Sequence, residues 1–370
     1  MTPRLSVVMP VRDGARWLGE AIESIVSQTF SDLELLVIDD GSTDETPQIL
    51  NAWSRRDGRI RLLRQHDPGL VAALNYGLAN ARGPFLARLD ADDLAAPERL
   101  ERQIRVLENE PSIGLLGSWA QRTDERGRLR GYLRPETDPK KLADILTRAN
   151  PFVHSTIMLR TEIARCLGGY RAVFEAAEDY DLWLRMSEVT SLANLPEPLV
   201  QYRRHEANVT AQKAIRQSFS VRLAQRAAWV RRRTGRDPAI DFAIAPDWRL
   251  PQALSSFYAE DVITYRLLDL ADPNFANRTG EADFSPLVER LSQLNHAERR
   301  LATLAMINQL RRAPAARASR TLRVFARMVW QRPGMALLAA RCLQRRSGLA
   351  LGDSSRDPTV TTAGEDSSHG

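Results

Sequence analysis

The sequence predicts an α/β protein whose mostly parallel sheet is flanked by helices and followed by a helical extension. Short apolar runs alternate with segments of helical spacing through residue 118, and the runs lie at 5–11, 33–38, 59–63, 85–89 and 113–118. Strands and helices that alternate in this way favour a parallel sheet wrapped by helices. Acidic residues follow several of the runs, and the ligands of such sheets bind beyond the carboxyl ends of the strands.

Helical spacing and start signals place helices between these strands. Apolar residues of 17–26 recur on one helical face. Ser42 and Glu45 have the spacing of a capping box that would open a second helix. A third helix is expected over 68–81 and a fourth from Pro97, whose ring suits a first turn. Farther along, the pattern predicts helices over 139–149 and 179–187 and a strand over 154–159.

Composition divides the chain of 370 residues into three parts. Residues 1–210 are expected to form the α/β domain, and residues 211–346 a mainly helical region. Residues 347–370 are rich in Ser, Thr, Gly and Asp, so a disordered tail is expected. The net charge of +6 belongs to the C-terminal part, because every charged residue from 311 to 346 is an arginine.

The arginine-rich stretch has two interpretations. A basic helix with an apolar face can bind anionic lipid, or it can pack on the protein and expose its arginines to water. No nucleic-acid-binding motif accompanies the charge, so no nucleic-acid partner is expected. The sequence shows neither a signal-peptide pattern nor an apolar run that could span a bilayer. A cytoplasmic location is expected, with peripheral contact at the inner face of the plasma membrane as a further expectation.

The strongest chemical signal is a group of three carboxylates, Asp90, Asp92 and Asp93, directly after the fourth strand. Carboxylates packed so closely resist common ionisation unless a cation joins them. Mg²⁺ and Mn²⁺ prefer such oxygen ligands and often bind phosphate oxygens as well. The alternative is an acidic turn that precedes the helix at Pro97.

Other polar residues are further candidates. Asp39 follows the second strand directly and could accept hydrogen bonds from a base or a ribose. Asp179 beside Glu178 could act as a general base, although acids at a helix start also stabilise the helix. His154 and His205 are candidates for either a ligand role or a structural role.

Five segments resemble, in order, the motifs of the family 2 glycosyltransferases. They are residues 6–11, 37–44, 89–93, 178–185 and 202–205, and their spacing agrees over about residues 4–210. The resemblance implies a GT-A fold and an inverting single displacement of the hexosyltransferase type. The donor would be a nucleotide-diphosphate sugar, usually a UDP-sugar. The acceptor would be a hydroxyl group of a cell-surface polysaccharide or a lipid-linked glycan precursor.

The resemblance also assigns roles to individual residues. Asp179 would be the catalytic base, with Glu178 as the second choice. Mn²⁺ or Mg²⁺ would be bound by Asp92, with Asp90, Asp93 and His205 as further candidate ligands. The donor-binding residues would be Pro10, Val11, Asp39, Asn75, Asp90 and Ala91.

Two other functions are compatible with the residues. A phosphatase of the haloacid dehalogenase type also has an Asp-x-Asp pair after a strand, but it expects Thr or Val soon after the second Asp, where this chain has Asp93 and Leu94. A nucleotide-sugar-binding protein without turnover would keep the donor site alone. The intact Asp90, Asp92 and Asp179 favour an enzyme.

Overall fold

The computed structural model describes residues 2–65, 68–205, 214–240, 242, 246–247, 259–268, 284–312, 315–332, 334–336 and 339–340. The chain divides into two compact units. The first contains the described residues up to 205 and residues 224–237, and the second contains 214–223 and the described residues from 238 onward. The predicted domain boundaries at 210 and 346 stay predictions, and the tail 347–370 lies outside the described residues.

The described part of the first unit contains one sheet of nine strands. They are β1 Leu5–Val11, β2 Leu33–Asp39, β3 Ile60–Arg64, β4 Phe85–Arg88, β5 Leu94–Ala95, β6 Ile113–Thr123, β7 Leu129–Leu133, β8 Met158–Arg160 and β9 Ser191–Arg203. The order is β3-β2-β1-β4-β8-β6-β9-β5, and β7 pairs with β6. The strands β1 to β4 pair in parallel, which confirms the predicted arrangement for the first half of the sheet. β8 joins β4 and β6 in antiparallel fashion, whereas β6 and β9 are parallel to each other.

Helices cover both faces of this sheet. They are α1 Leu18–Val26, α2 Thr46–Arg56, α3 Leu70–Asn80, α4 Arg99–Asn109, α5 Pro139–Leu146, α6 Thr161–Cys166 and α7 Glu178–Met186. The apolar side chains of α1 and α4 join those of β1 and β2 in one buried core. On the other side α3 lies so close to β1 that a Cβ on Gly77 would be 2.6 Å from Val8 Cγ1. All seven residues of β1 are buried, as expected for a central strand.

Two local predictions differ from the structure, and one long strand was not predicted. The capping box was wrong, because α2 begins at Thr46 and Ser42 instead accepts a hydrogen bond from the main chain of Asp13. Residues 154–159 are not one strand, since a 3₁₀ turn at His154–Thr156 precedes β8. The strand β9 was not predicted, because its two prolines interrupt the apolar pattern. It forms through a long parallel pairing with β6 that shifts register near the prolines.

The second unit is helical in its described residues. Its helices include α9 Ala259–Leu268, α10 Ser285–Glu289, α11 His296–Arg312 and α12 Ala315–Gln331, and the helix α8 Ala214–Thr234 begins in this unit. The carboxylate of Glu298 is fully buried at the start of α11. It accepts hydrogen bonds from Arg222 Nε at 2.7 Å and from Tyr265 Oη at 2.5 Å. Buried charges need such partners, so this group connects α8, α9 and α11.

Candidate active site

Three carboxylates converge where β4 ends. One ligand oxygen from each of Asp90, Asp92 and Asp93 lies within 4.8 Å of the others. Burial, with the neighbouring negative charges of Asp92 and Asp90, raises the pKa of Asp93 well above its usual range. Burial likewise raises the pKa of Asp90. The close approach predicted from the sequence is therefore present, and the group concentrates negative charge in a poorly solvated place.

Each carboxylate is held by a different part of the chain. Asp90 accepts hydrogen bonds from Nη1 and Nη2 of Arg88 and, at 2.9 Å, from the hydroxyl of Ser155. Asp92 Oδ2 lies 2.7 Å from His205 Nε2. Asp93 Oδ1 accepts a hydrogen bond from the main-chain N–H of Arg203 at 2.8 Å. The end of β9 thus reaches the carboxylates from more than a hundred positions away in the sequence.

The donor atoms at this place suit a hard divalent cation. Among the described residues, Asp93 Oδ2 is buried and has no hydrogen-bond partner. Such an oxygen is costly unless a cation or a proton satisfies it. Carboxylate oxygens are the ligands that Mn²⁺ and Mg²⁺ prefer in proteins. The residues present therefore fit the metal that the sequence predicted.

The end of β1 lies beside these carboxylates, and the end of β2 lies next to that of β1. Val11 and Asp39 are register partners, and Val11 follows Pro10 on β1. A Cβ on Gly14 would lie 2.6 Å from Val11 Cγ2 and 3.8 Å from Ala91 Cβ, so the end of β1 and the carboxylate turn are neighbours. Asp39 Oδ1 accepts the N–H of Ser42 at 3.0 Å, which orients the carboxylate at the edge of the sheet.

A set of hydrogen bonds that the sequence did not reveal fastens the loop after β1 to the loop after β2. Asp13, with a positive φ of 49°, donates its N–H to Ser42 Oγ at 2.9 Å and accepts the N–H of Thr43 at 2.7 Å. Two further N–H groups of the first loop, those of Gly14 and Ala15, are bound by side chains of the second loop. These hydrogen bonds hold the two loops together.

A second acidic pair opens α7. Asp179 accepts the N–H of Tyr180 at 2.6 Å and the amide of Asn150 at 2.9 Å. Burial raises the pKa of Asp179. Burial and the charge of Asp179 raise the pKa of Glu178 to about 7. Behind them, Asp181 is buried between Arg171 and Arg185, and this ion-pair group anchors the helix.

Two connections bring the acidic pair and the carboxylate triplet together. Asn150 binds Asp179 and Ser155 binds Asp90, so one short segment touches both groups. The buried guanidinium of Arg88 pairs with Asp90, and its positive charge offsets part of the rise that burial causes in the pKa of Asp179. Asn150, Ser155 and Arg88 were not candidates in the sequence analysis. Arg88 carried a recognisable signal, because it ends the strand that leads into the carboxylates.

Asn75 and His154, two candidates from the sequence, both form hydrogen bonds with Tyr170. The amide of Asn75 accepts the N–H of Tyr170 and donates to the carbonyl of Tyr170, both at 2.8 Å. His154 Nε2 lies 3.2 Å from the hydroxyl of Tyr170. Burial, followed by the charge of Arg88, lowers the pKa of His154 well below its usual range, so the ring is neutral. The donor-binding role of Asn75 stays a prediction.

Comparison with known proteins identifies the family. Residues 6–168 match the model of glycosyl transferase family 2. EpsE of Bacillus subtilis (strain 168), named as a glycosyltransferase, is 38% identical over 206 residues, which cover 54% of this chain and 73% of EpsE. The O-antigen biosynthesis glycosyltransferase WbnJ of Escherichia coli is 33% identical over 215 residues, which cover 57% of this chain and 82% of WbnJ.

A solved structure supports the fold. The crystal structure of S. aureus TarS with UDP-GlcNAc aligns over 94% of this chain and 93% of that chain, with a TM-score of 0.53 and 15% sequence identity. At this identity the likeness shows the fold alone. The predicted GT-A architecture is thereby confirmed, and with the relatives above it excludes the phosphatase alternative. The chain belongs to glycosyl transferase family 2 and is a glycosyltransferase with the GT-A fold.

Proposed function

We propose that this glycosyltransferase is metal-dependent and inverting, and that it moves a sugar from a UDP-sugar to a hydroxyl group of a glycan or lipid-linked acceptor. The observation that carries the proposal is the convergence of two acidic groups at one edge of the sheet. One group, Asp90 with Asp92 and Asp93, has the oxygen ligands for a cation. The other, Asp179 with Glu178, has a carboxylate held by Asn150.

The donor side is assigned first. Pro10, Val11, Asp39, Asn75, Asp90 and Ala91 would contact the nucleotide sugar, with Asp39 bound to the base. Asp39 is partly buried and its Oδ1 is already oriented by Ser42, which supports a fixed acceptor for a base N–H. Asp92, Asp90, Asp93 and His205 would hold Mn²⁺ or Mg²⁺. When bound, the ion would supply positive charge at the diphosphate of the leaving group.

The acceptor side supplies the base. The acceptor hydroxyl oxygen attacks the anomeric carbon, and the bond from that carbon to the diphosphate oxygen breaks with its electron pair on the diphosphate. Asp179 takes the hydroxyl proton. One displacement from the opposite face inverts the anomeric configuration and needs no carboxylate nucleophile, unlike a retaining glycosidase. Glu178 is the second candidate, and its pKa of about 7 leaves part of this carboxyl protonated at neutral pH.

The acceptor and the domain organisation are also proposals. Residues 1–210 would form the catalytic domain, and 211–346 a helical region that contributes to acceptor choice. WbnJ, a 33% identical relative, is named for O-antigen biosynthesis, which supports a cell-envelope polysaccharide as the product. No helix among the described residues is long and apolar enough to cross a bilayer. A cytoplasmic location remains part of the proposal.

The surface of α12 supports peripheral contact with an anionic membrane. Leu322 and Trp330 are 56% and 89% exposed. They belong to an apolar stripe with helical spacing that includes Phe325, Ala326 and Val329. An open cavity of about 660 Å³ lies along this stripe and is lined by Phe325, Ala326, Val329, Trp330 and Ala336. Arg323 and Arg327 are exposed on the same helix. An apolar stripe beside arginines is the pattern of a helix that lies on anionic lipid.

Flotation with vesicles tests the membrane contact. The full chain should float with vesicles that contain anionic lipid and stay unbound with neutral vesicles. Trp330→Ser should reduce flotation, whereas Trp229→Ser removes another tryptophan, 55% exposed on α8, and should leave it unchanged. Equal flotation of both variants would remove α12 from the proposal.

Turnover tests the function itself. The protein is incubated with a panel of UDP-sugars and glycan acceptors, and the release of UDP is measured with Mn²⁺, with Mg²⁺ and with EDTA. Release that needs a metal and an acceptor supports the proposal. Tight donor binding without any release would favour the nucleotide-sugar-binding alternative. The anomeric configuration of the product, read by NMR, decides between inversion and retention.

A further inference from the structure

One aromatic residue beside the carboxylates has no role in the function proposed above. Trp17 precedes α1 and follows the loop that leaves β1. Its ring centroid lies 4.3 Å from that of His205, with an angle of 31° between the ring planes. The guanidinium of Arg203 lies 5.5 Å from the same tryptophan centroid. Trp17 therefore contacts two side chains at the end of β9.

The end of β9 is also the segment that reaches the carboxylates. Residues two apart in an extended chain point to the same side, which explains why Arg203 and His205 share one neighbour. The main chain of Arg203 binds Asp93, and the imidazole of His205 binds Asp92. A further link from α1 comes from Glu20, which pairs with Arg203 at 2.7 Å. The start of α1 thus also holds the segment that binds Asp92 and Asp93.

The geometry fixes the imidazole in two directions. Nε2 of His205 is directed at Asp92, while the face of the ring rests on Trp17. A histidine at the end of a strand can otherwise rotate about two side-chain torsions, and it would lose that freedom when it binds a cation. A ring already held in place loses less, and partners that orient a metal ligand raise its affinity.

We propose that Trp17 is a positioning residue that holds His205 in the orientation that binds the divalent cation, and so couples the loop after β1 to the metal site. The inference rests on the proposed function, because it takes His205 as a metal ligand. In this role Trp17 acts through His205 and not by direct contact with the substrate or the metal. Its contribution is to the affinity for the ion.

Mn²⁺ binding to the full chain, without donor or acceptor, tests the inference. Electron paramagnetic resonance measures free Mn²⁺ in a titration of the wild type and of variants. Trp17→Ala should weaken Mn²⁺ binding about tenfold, and Trp17→Phe should recover most of the affinity because a ring still faces the imidazole. Trp53→Phe is the matched control, since Trp53 also carries an arginine, Arg56, on its face but lies on α2.

A double-mutant cycle with His205→Ala separates positioning from a general loss of folding. In the His205→Ala background, Trp17→Ala should change Mn²⁺ affinity less than about twofold, because the ring that it orients is gone. An equal loss in both backgrounds overturns the inference, and so does an unchanged affinity of Trp17→Ala. If the wild type itself binds no Mn²⁺, the proposed metal site fails together with the inference, and that result is distinguishable from the other two. Thermal unfolding of each variant shows which of them fold.

Discussion

Replacement of Asp179 by asparagine is the sharpest test of the proposed base. The change removes the carboxylate charge and keeps the size of the side chain. Loss of a general base costs about 100- to 10,000-fold in rate, which corresponds to about 3–5 kcal/mol of activation free energy. We therefore expect Asp179→Asn to lower kcat by that factor while the KM for the UDP-sugar stays near its wild-type value.

The structure also limits the loss of stability in this variant. The new amide can still accept the N–H of Tyr180, but its NH₂ group would face the NH₂ group of Asn150. Asn150 cannot turn over without cost, because its oxygen accepts the N–H of Phe152 at 3.1 Å. We expect the free energy of unfolding to fall by about 1 kcal/mol, the typical value of one hydrogen bond. Urea unfolding followed by circular dichroism measures this loss.

A matched control lies two residues farther along the same helix. Asp181 is fully buried and binds Arg171 and Arg185, so Asp181→Asn leaves two guanidinium groups without their full partner. We expect it to cost about 3–5 kcal/mol of stability. Near-normal turnover of Asp179→Asn would refute the assignment of Asp179 as the base. If Glu178→Gln lost most of its kcat while Asp179→Asn did not, the role of base would pass to Glu178.

Three further predictions concern the same site. Asn150→Ala should move the acid limb of the kcat/KM profile to higher pH, because the hydrogen bond from Asn150 lowers the pKa of Asp179; an unmoved limb would contradict the base assignment. The pKa of Glu178 is about 7 in the folded protein, against an ordinary value of 4.5. Between these two pH values the folded protein binds more protons than the unfolded chain, so the free energy of unfolding falls as the pH rises from 4.5 to 7. Glu178→Gln should flatten this fall in urea unfolding. His205→Ala should raise the Mn²⁺ concentration for half-maximal activity about 10- to 100-fold, with the activity recovered at saturating Mn²⁺.

The first half of the sheet was predictable because its signals are local. The strand β1 is apolar except at Ser6 and is buried at every position, and the helix that follows repeats Leu18, Ile22 and Ile25 on one face. Those patterns depend on a few neighbouring residues and on the period of the element. The carboxylates after β4 were found for the same reason, since all three stand within four positions of one turn.

The features that the sequence analysis missed depend on contacts between residues that are far apart in the sequence. β9 forms by pairing with β6 and β5, and the shift of its register with β6 lets the chain pass Pro196 and Pro198. No local pattern announces a strand that contains two prolines, because proline cannot donate to a sheet. The helix start at Thr46 was misplaced for a related reason. Ser42, the predicted cap, is engaged by Asp13 from another loop.

Sequence patterns were sufficient to predict most of the strands and helices up to β6 and the chemistry available at the strand ends. These depend on side-chain type and on short-range periodicity, which the chain carries wherever it folds. Which of these groups come into contact depends on how the whole chain packs. The contact of Ser155 with Asp90, of Asn150 with Asp179 and of His205 with Asp92 spans 65, 29 and 113 positions. Such contacts exist because packing of the whole sheet brings the segments together, and no residue pattern within either segment specifies the other.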